Sequence, residues 1–237
     1  MDVTYNFSNK VVLITGGTGS LGSTLVKKFI DSGALTISSF VNDLGAEKLK
    51  AANHKLEIIK LDITNEEQIL KTIPILVEKY GKIDILVNLV GGYLGGKATV
   101  ELAESDWTAM MDLNLKSAFL ISKYVIPIMK SGKGGNIVHI SSKTGLKSEG
   151  FDSAYAASKA GLIRFVEATS QELQGDNINV NCILPTIIDT EANRRAMPNA
   201  DFKKWLSKED LANVILFLCS SASKAINGAA IPTYGIS

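Results

Sequence analysis

The sequence predicts an α/β fold: a single doubly wound domain over residues 1–237, with an about seven-stranded parallel sheet and helices on both faces. Three observations predict it. Short β-branched runs alternate with segments of helical periodicity along the chain. The short runs are predominantly apolar, as in VVLIT and IDILV, which suits strands covered on both sides. The first run opens into a glycine-rich turn and then a helical pattern, the order required of a phosphate-binding strand-turn-helix unit.

Each element follows in turn. Residues 10–15 read as a buried strand, and residues 20–32 as a helix through Leu21, Leu25, Phe29 and Ile30, stopped by Gly33. A strand over 35–41 and a helix over 44–53 come next, then a strand over 56–61. Residues 66–80 read as a helix with Thr64 as N-cap. A strand over 83–87 leads to Gly91-Gly92. Helical patterns cover 105–111 and 115–130, a strand 136–140, and a long helix 153–173. The strand at 178–184 is stopped by Pro185, a helix spans 208–220, and a last strand covers 229–232. Residues 189–207 are polar, carry Pro198 and interrupt the alternation, so they are expected to form a substrate lid.

Composition narrows the function. Apolar residues make up 46% of the chain and charged residues 21%, with a net charge of +1. There is no basic run to meet nucleic acid. Cys182 and Cys219 are far apart, and His54 and His139 have no ligand spacing, so no metal site is expected and both thiols and His139 read as core. No stretch reaches membrane-spanning length, and the first ten residues lack an apolar segment. The expectation is a cytoplasmic protein, without a membrane partner, acting on a small molecule.

The turn reads Thr15-Gly16-Gly17-Thr18-Gly19-Ser20-Leu21-Gly22. Glycines let backbone approach a pyrophosphate, and the helix start offers free N–H groups to it. Gly16, Thr18, Gly19, Ser20, Leu21 and Gly22 are therefore candidate cofactor-binding residues.

Tyr155 and Lys159 stand four apart in a helical pattern, so they share a face. A nearby ammonium favours the phenolate, and lowering a tyrosine pKa by about three units takes about 4 kcal/mol. Ser142 sits just past the 136–140 strand, where a hydroxyl can face the ligand crevice of a parallel sheet. Asn114 lies in a helical pattern that it suits poorly. A second Tyr-x-x-x-Lys, Tyr93 and Lys97, spans Gly95-Gly96 and is discarded as non-helical.

The segment GGNIVHISS, followed twelve residues later by YAASKAG, resembles the active-site region of the short-chain dehydrogenases/reductases, and the likeness covers nearly the whole chain. The resemblance implies a Rossmann-fold NAD(P)-dependent oxidoreductase. Ser142 would polarise a carbonyl, Tyr155 would be the acid/base, Lys159 would lower its pKa and hold the nicotinamide ribose, and Asn114 would organise a proton relay. It also places Asp62 and Ile63 at the adenine, Asn88, Val90 and Gly91 at the fourth-strand end, and Pro185, Thr186, Ile188 and Thr190 beside the carboxamide. Three departures stand out: Ser20 replaces the middle glycine of TGxxxGxG, Leu89-Val90 replaces Asn-Ala, and Thr186 replaces a glycine. The family habit implies a homo-oligomer, dimer or tetramer. Residues 184–205 resemble the matching segment of dihydropteridine reductases, which makes pterin reduction an alternative to general carbonyl reduction. A non-catalytic redox sensor is a further alternative, against which Tyr155 and Lys159 argue.

An acidic residue at the end of the second strand would select NAD. Phe40, Val41 and Asn42 stand there instead. The missing acid tilts the expectation to NADP(H) over NAD(H), with Phe40 and Asn42 at the ribose.

Overall fold

The computed structural model describes residues 4–41, 49 and 55–235. Among these, seven strands form one sheet: β1 (Val11–Thr15), β2 (Leu35–Phe40), β3 (Leu56–Lys60), β4 (Ile85–Asn88), β5 (Gly135–Ile140), β6 (Ile178–Pro185) and β7 (Ala230–Thr233). Every pairing is parallel and the order is 3-2-1-4-5-6-7. The expected doubly wound α/β fold is what the chain adopts. Apart from Leu49, the helix expected over 44–53 lies outside the described residues, as does the cofactor residue Asn42.

The helices are α1 (Ser20–Asp31), α2 (Glu66–Tyr80), α3 (Glu104–Met111), α4 (Ser117–Ser131), α5 (Lys143–Leu146), α6 (Ser153–Glu172), α7 (Glu191–Ala196) and α8 (Lys208–Cys219). Side chains alternate across the sheet. Val11 and Leu13 of β1 pack with Ile69 and Ile73 of α2, Ile121 and Val125 of α4, and Ile163 and Val166 of α6. Val12 and Ile14 pack on the other face with Leu25 and Phe29 of α1 and Leu211 and Ile215 of α8. Two apolar layers thus sandwich strands whose β1 and β4 residues are all buried. The buried Cys182 and Cys219 belong to these layers.

Two local expectations are corrected. The N-cap of α2 is Asn65, whose Oδ1 accepts from the Gln68 N–H at 3.2 Å. Thr64 instead donates its hydroxyl to Asp62 at 2.7 Å; it stands one residue too early for its side chain to reach the first free N–H groups. Nor are α3 and α4 separate helices. Asp112–Lys116 joins them as a π-helical turn. Ser117 N–H reaches past Leu113 to the Asp112 carbonyl, and Ser117 Oγ donates to the Leu113 carbonyl at 2.6 Å. The Leu113 carbonyl thereby keeps a partner.

No helix among the described residues is long and apolar enough to cross a membrane.

Candidate active site

The strand order reverses between β1 and β4, and ligands of open parallel sheets bind beyond the strands' carboxyl ends at such a switch point. The glycine turn leaves β1 there, and Val90-Gly91-Gly92 leaves β4 beside it.

The turn is shaped as a cradle. Gly16 has φ +72°, and a Cβ on Gly22 would stand 2.5 Å from the Gly16 carbonyl oxygen and 2.6 Å from Gly17 Cα. Only glycine at 22 allows α1 to pack so close under the loop. Gly19 caps α1 without any side-chain bond to its first N–H groups, and Thr18, Ser20 and Leu21 surround that start. A positive helix end without a side-chain cap, on a loop with room for close approach, fits a pyrophosphate.

Around the cradle the other cofactor candidates fall into two kinds. Asp62 follows β3, its Oδ1 accepting from Thr64 N–H at 2.9 Å, while the Ile63 side chain is buried in the core. Asn88 is fully engaged inside the protein: its Oδ1 accepts from Thr15 Oγ1 at 2.5 Å and Val90 N–H at 3.2 Å, and its Nδ2 stands 3.3 Å from His139 Nδ1. It shapes the loop through Val90 and is buried in the protein. Pro185 ends β6, Thr186 follows, Ile188 bridges to Leu206, and Thr190 caps α7 by accepting from Asn193 N–H at 3.1 Å. Phe40 ends β2, and Val41 after it is half exposed.

The four catalytic candidates come together. Ser142 caps α5, its Oγ accepting from Thr144 N–H at 3.2 Å, and is buried at the end of β5. Tyr155 and Lys159 share a face of α6, with Lys159 Nζ 5.9 Å from the Tyr155 ring centre and donating to the Ile140 carbonyl at 2.8 Å. Asn114 sits in the π-turn, buried. Its Oδ1 accepts from Gly92 N–H at 2.9 Å; its Nδ2 donates to the Gly92 carbonyl at 3.0 Å and to Ser158 Oγ at 3.1 Å. Ser158 Oγ in turn donates to the Tyr155 carbonyl at 2.7 Å. Asn114 therefore links the loop after β4 to the helix that carries Tyr155. Ser158, Tyr93 and Asp152 were not singled out from sequence as parts of this site. Ser158 lies inside the YAASK run, but nothing in its spacing shows that it meets Asn114.

The electrostatics differ from the simple expectation. Burial pushes the Tyr155 phenol up, against the hydrogen-bonding influence of Ser142, and Asp152 adds to the rise. Burial also pushes the Lys159 ammonium down to about 8. Both shifts favour the neutral forms, because both groups lose water and neither meets a strong opposite charge. His139, buried against Asn88 and Ser122, falls to about 3 for the same reason, so it is a neutral core residue. The discarded Tyr93–Lys97 pair is indeed outside any helix, and Lys97 pairs with Asp106 at 2.7 Å. A cavity of about 550 Å³ lies at the opposite, amino end of the strands, near Phe7, Asp84 and Asn136. It contains none of these groups.

A glycine cradle at the switch point, with Ser, Tyr and Lys beyond the neighbouring strands, defines a nucleotide-dependent oxidoreductase. The sequence pattern of the short chain dehydrogenase family matches residues 10–201, and the chain belongs to that family. It is an NAD(P)-dependent enzyme of the CH–OH/C=O type. It is 32% identical over 234 residues to the 3-oxoacyl-(acyl-carrier-protein) reductase FabG of Thermotoga maritima, covering 94% of this chain and 95% of the relative. It is 33% identical over 240 residues to the NAD-dependent glycerol dehydrogenase of Listeria innocua, covering 96% and 93%. A crystal structure of a Burkholderia xenovorans protein assigned to the same family superposes with a TM-score of 0.87 at 28% identity, covering 97% of this chain and 96% of that one.

Proposed function

We propose that the chain reduces a small-molecule carbonyl to an alcohol, with Tyr155 as the acid that protonates the oxygen and NADP(H) favoured over NAD(H). The observation that supports this most is the placement of Ser142, Tyr155 and Lys159 beyond the strand ends, next to the glycine cradle. The nicotinamide, when bound, supplies the hydride. Gly16, Thr18, Gly19, Ser20, Leu21 and Gly22 would hold its pyrophosphate, Asp62 and Ile63 the adenine, and Val90, Gly91, Pro185, Thr186, Ile188 and Thr190 the nicotinamide side.

Ser142 Oγ donates to the substrate oxygen and fixes it before Tyr155. A phenol held up by burial stays protonated at neutral pH, which suits proton donation to a carbonyl. Lys159, near 8, sits at the same end of α6 to replace the proton, and Asn114 holds the loop that borders this path. The absence of an acid at Phe40-Val41 supports NADP(H). Residues 189–207 are proposed as the substrate lid. Its base is pinned where Asp189 N–H donates to Leu206 at 2.8 Å, and inside it Arg194 forks onto Asp189 at 2.6 and 2.7 Å.

The test is oxidation of NADPH and NADH against a 3-oxoacyl thioester, a diketone and a quinonoid dihydropterin. Turnover of the thioester or diketone, faster with NADPH, and its loss in Tyr155→Phe with nucleotide binding retained, is expected. Unchanged turnover in Tyr155→Phe overturns the mechanism. Preference for the dihydropterin moves the substrate assignment to pterins.

A further inference from the structure

Beside Tyr155 stands a second, unassigned arrangement. The Tyr93 ring meets the Tyr155 ring edge-on, 5.0 Å between centres at 82°. Its hydroxyl donates to Asp152 Oδ1 at 2.9 Å. Asp152 is the N-cap position of α6, yet its carboxylate makes no bond to the helix N–H groups. Gly96 N–H donates to the Phe151 carbonyl at 2.9 Å. A Cβ on Gly95 would fall 2.1 Å from Asp152 Oδ1 and 2.3 Å from the Tyr93 hydroxyl. The loop after β4 and the turn before α6 are thus closed on each other by a side-chain bond, a backbone bond and a glycine that makes room for both. All of this borders the acid/base residue.

We propose that Tyr93 and Asp152 act together as a positioning pair for Tyr155, one bracing its ring and the other placing a negative charge near its phenol. The proposal rests on the reading of Tyr155 as the acid/base. A carboxylate released from capping duty is available to the Tyr93 hydroxyl. Edge-to-face packing then holds the Tyr155 ring in one orientation. The titratable groups around Tyr155 are Lys159 on its own helix, Asp152 at the helix start and Tyr93 from the β4 loop. Ser142, from the end of β5, interacts with it without titrating, and the Lys159 ammonium adds to the burial that keeps the His139 ring neutral. Among these, Asp152 is the negative charge, and it favours the protonated phenol.

The test separates charge from packing. Tyr155 ionisation is read by ultraviolet absorbance of tyrosinate, as the difference between each protein and its Tyr155→Phe counterpart. Asp152→Asn keeps an acceptor for Tyr93 and removes the charge; the Tyr155 midpoint is expected to fall by about half a pH unit or more. Asp152→Ser is expected to move it the same way, so a folding failure of one variant leaves the other. A midpoint unmoved in the folded variants overturns the proposal. With a turned-over carbonyl substrate, Tyr93→Ala raises KM severalfold while Tyr93→Phe restores most of it. Equal, wild-type KM in both overturns the bracing role. Absence of any carbonyl turnover overturns the proposed function and leaves the titration to decide this pair.

Discussion

Asn114 and Gly92 exchange two hydrogen bonds, the carboxamide oxygen accepting from the Gly92 N–H at 2.9 Å and the carboxamide nitrogen donating to its carbonyl at 3.0 Å. The carboxamide copies a strand's edge and so fixes the backbone that borders the candidate active site. Asn114→Leu leaves the Gly92 groups without their partner and Ser158 without its donor. It is expected to lower kcat at least tenfold and to cost about 1–3 kcal/mol of stability. Urea unfolding and steady-state kinetics check both. An unaltered kcat with lowered stability would confine Asn114 to a structural role.

Gly91 leaves room between two side chains. A Cβ there would stand 2.9 Å from Asn114 Oδ1 and 3.1 Å from Lys159 Nζ. Gly91→Ala is therefore expected to impair turnover far more than it lowers the melting temperature, because Lys159 must shift before the core does. Turnover at the wild-type level would show that Lys159 gives way at no functional cost.

Lys159 is buried with its ammonium held near 8. A base whose folded pKa is depressed favours the unfolded chain below that value, and the penalty fades as pH rises through about 8 to 10. Lys159→Met removes a penalty of about 3 kcal/mol at pH 7. The variant is expected to be inactive and more resistant to urea at pH 7, with the gain shrinking by pH 10. A variant less stable at pH 7 would show that the Ile140 bond outweighs the desolvation.

His139 stays neutral to about pH 3 in the folded chain, whereas in the unfolded chain it gains a proton near 6.5. The unfolded state binds more protons below that pH, so stability falls as pH drops. By pH 5 the loss is about 2 kcal/mol. His139→Gln, which keeps donors and acceptors, is expected to flatten the slope of unfolding free energy between pH 6.5 and 5. An equal slope in both proteins would contradict this assignment.

The sheet was legible because β1 and β4 are short, mostly β-branched or apolar runs and β6 is an apolar-rich run stopped by Pro185, and their bounds were placed within a residue or two. Tyr155, Lys159 and Ser142 were legible because helix spacing and strand ends follow local rules. The π-turn at Asp112–Lys116 was not. One extra residue in a helix leaves no periodic mark over so short a span, and the sequence read as two helices. The Tyr93–Asp152 bond joins residues 59 apart. Tyr93 drew notice only through a misleading local spacing. That pairing depends on how two loops meet, which no local pattern encodes.

The π-turn also fixes a rotational offset. A π-bulge amounts to one residue added to an α-helix, and each residue turns an α-helix by about 100°. Shortening that turn by one residue would keep α3 and α4 helical and leave the apolar stripe of Leu120, Ile121 and Val125 against the core. It would swing everything before it by over a quarter revolution. Asn114 would then face away from Gly92. The side of this helix that meets the candidate site is thus set by a screw-like adjustment, in which chain length, and not side-chain identity, aims the carboxamide.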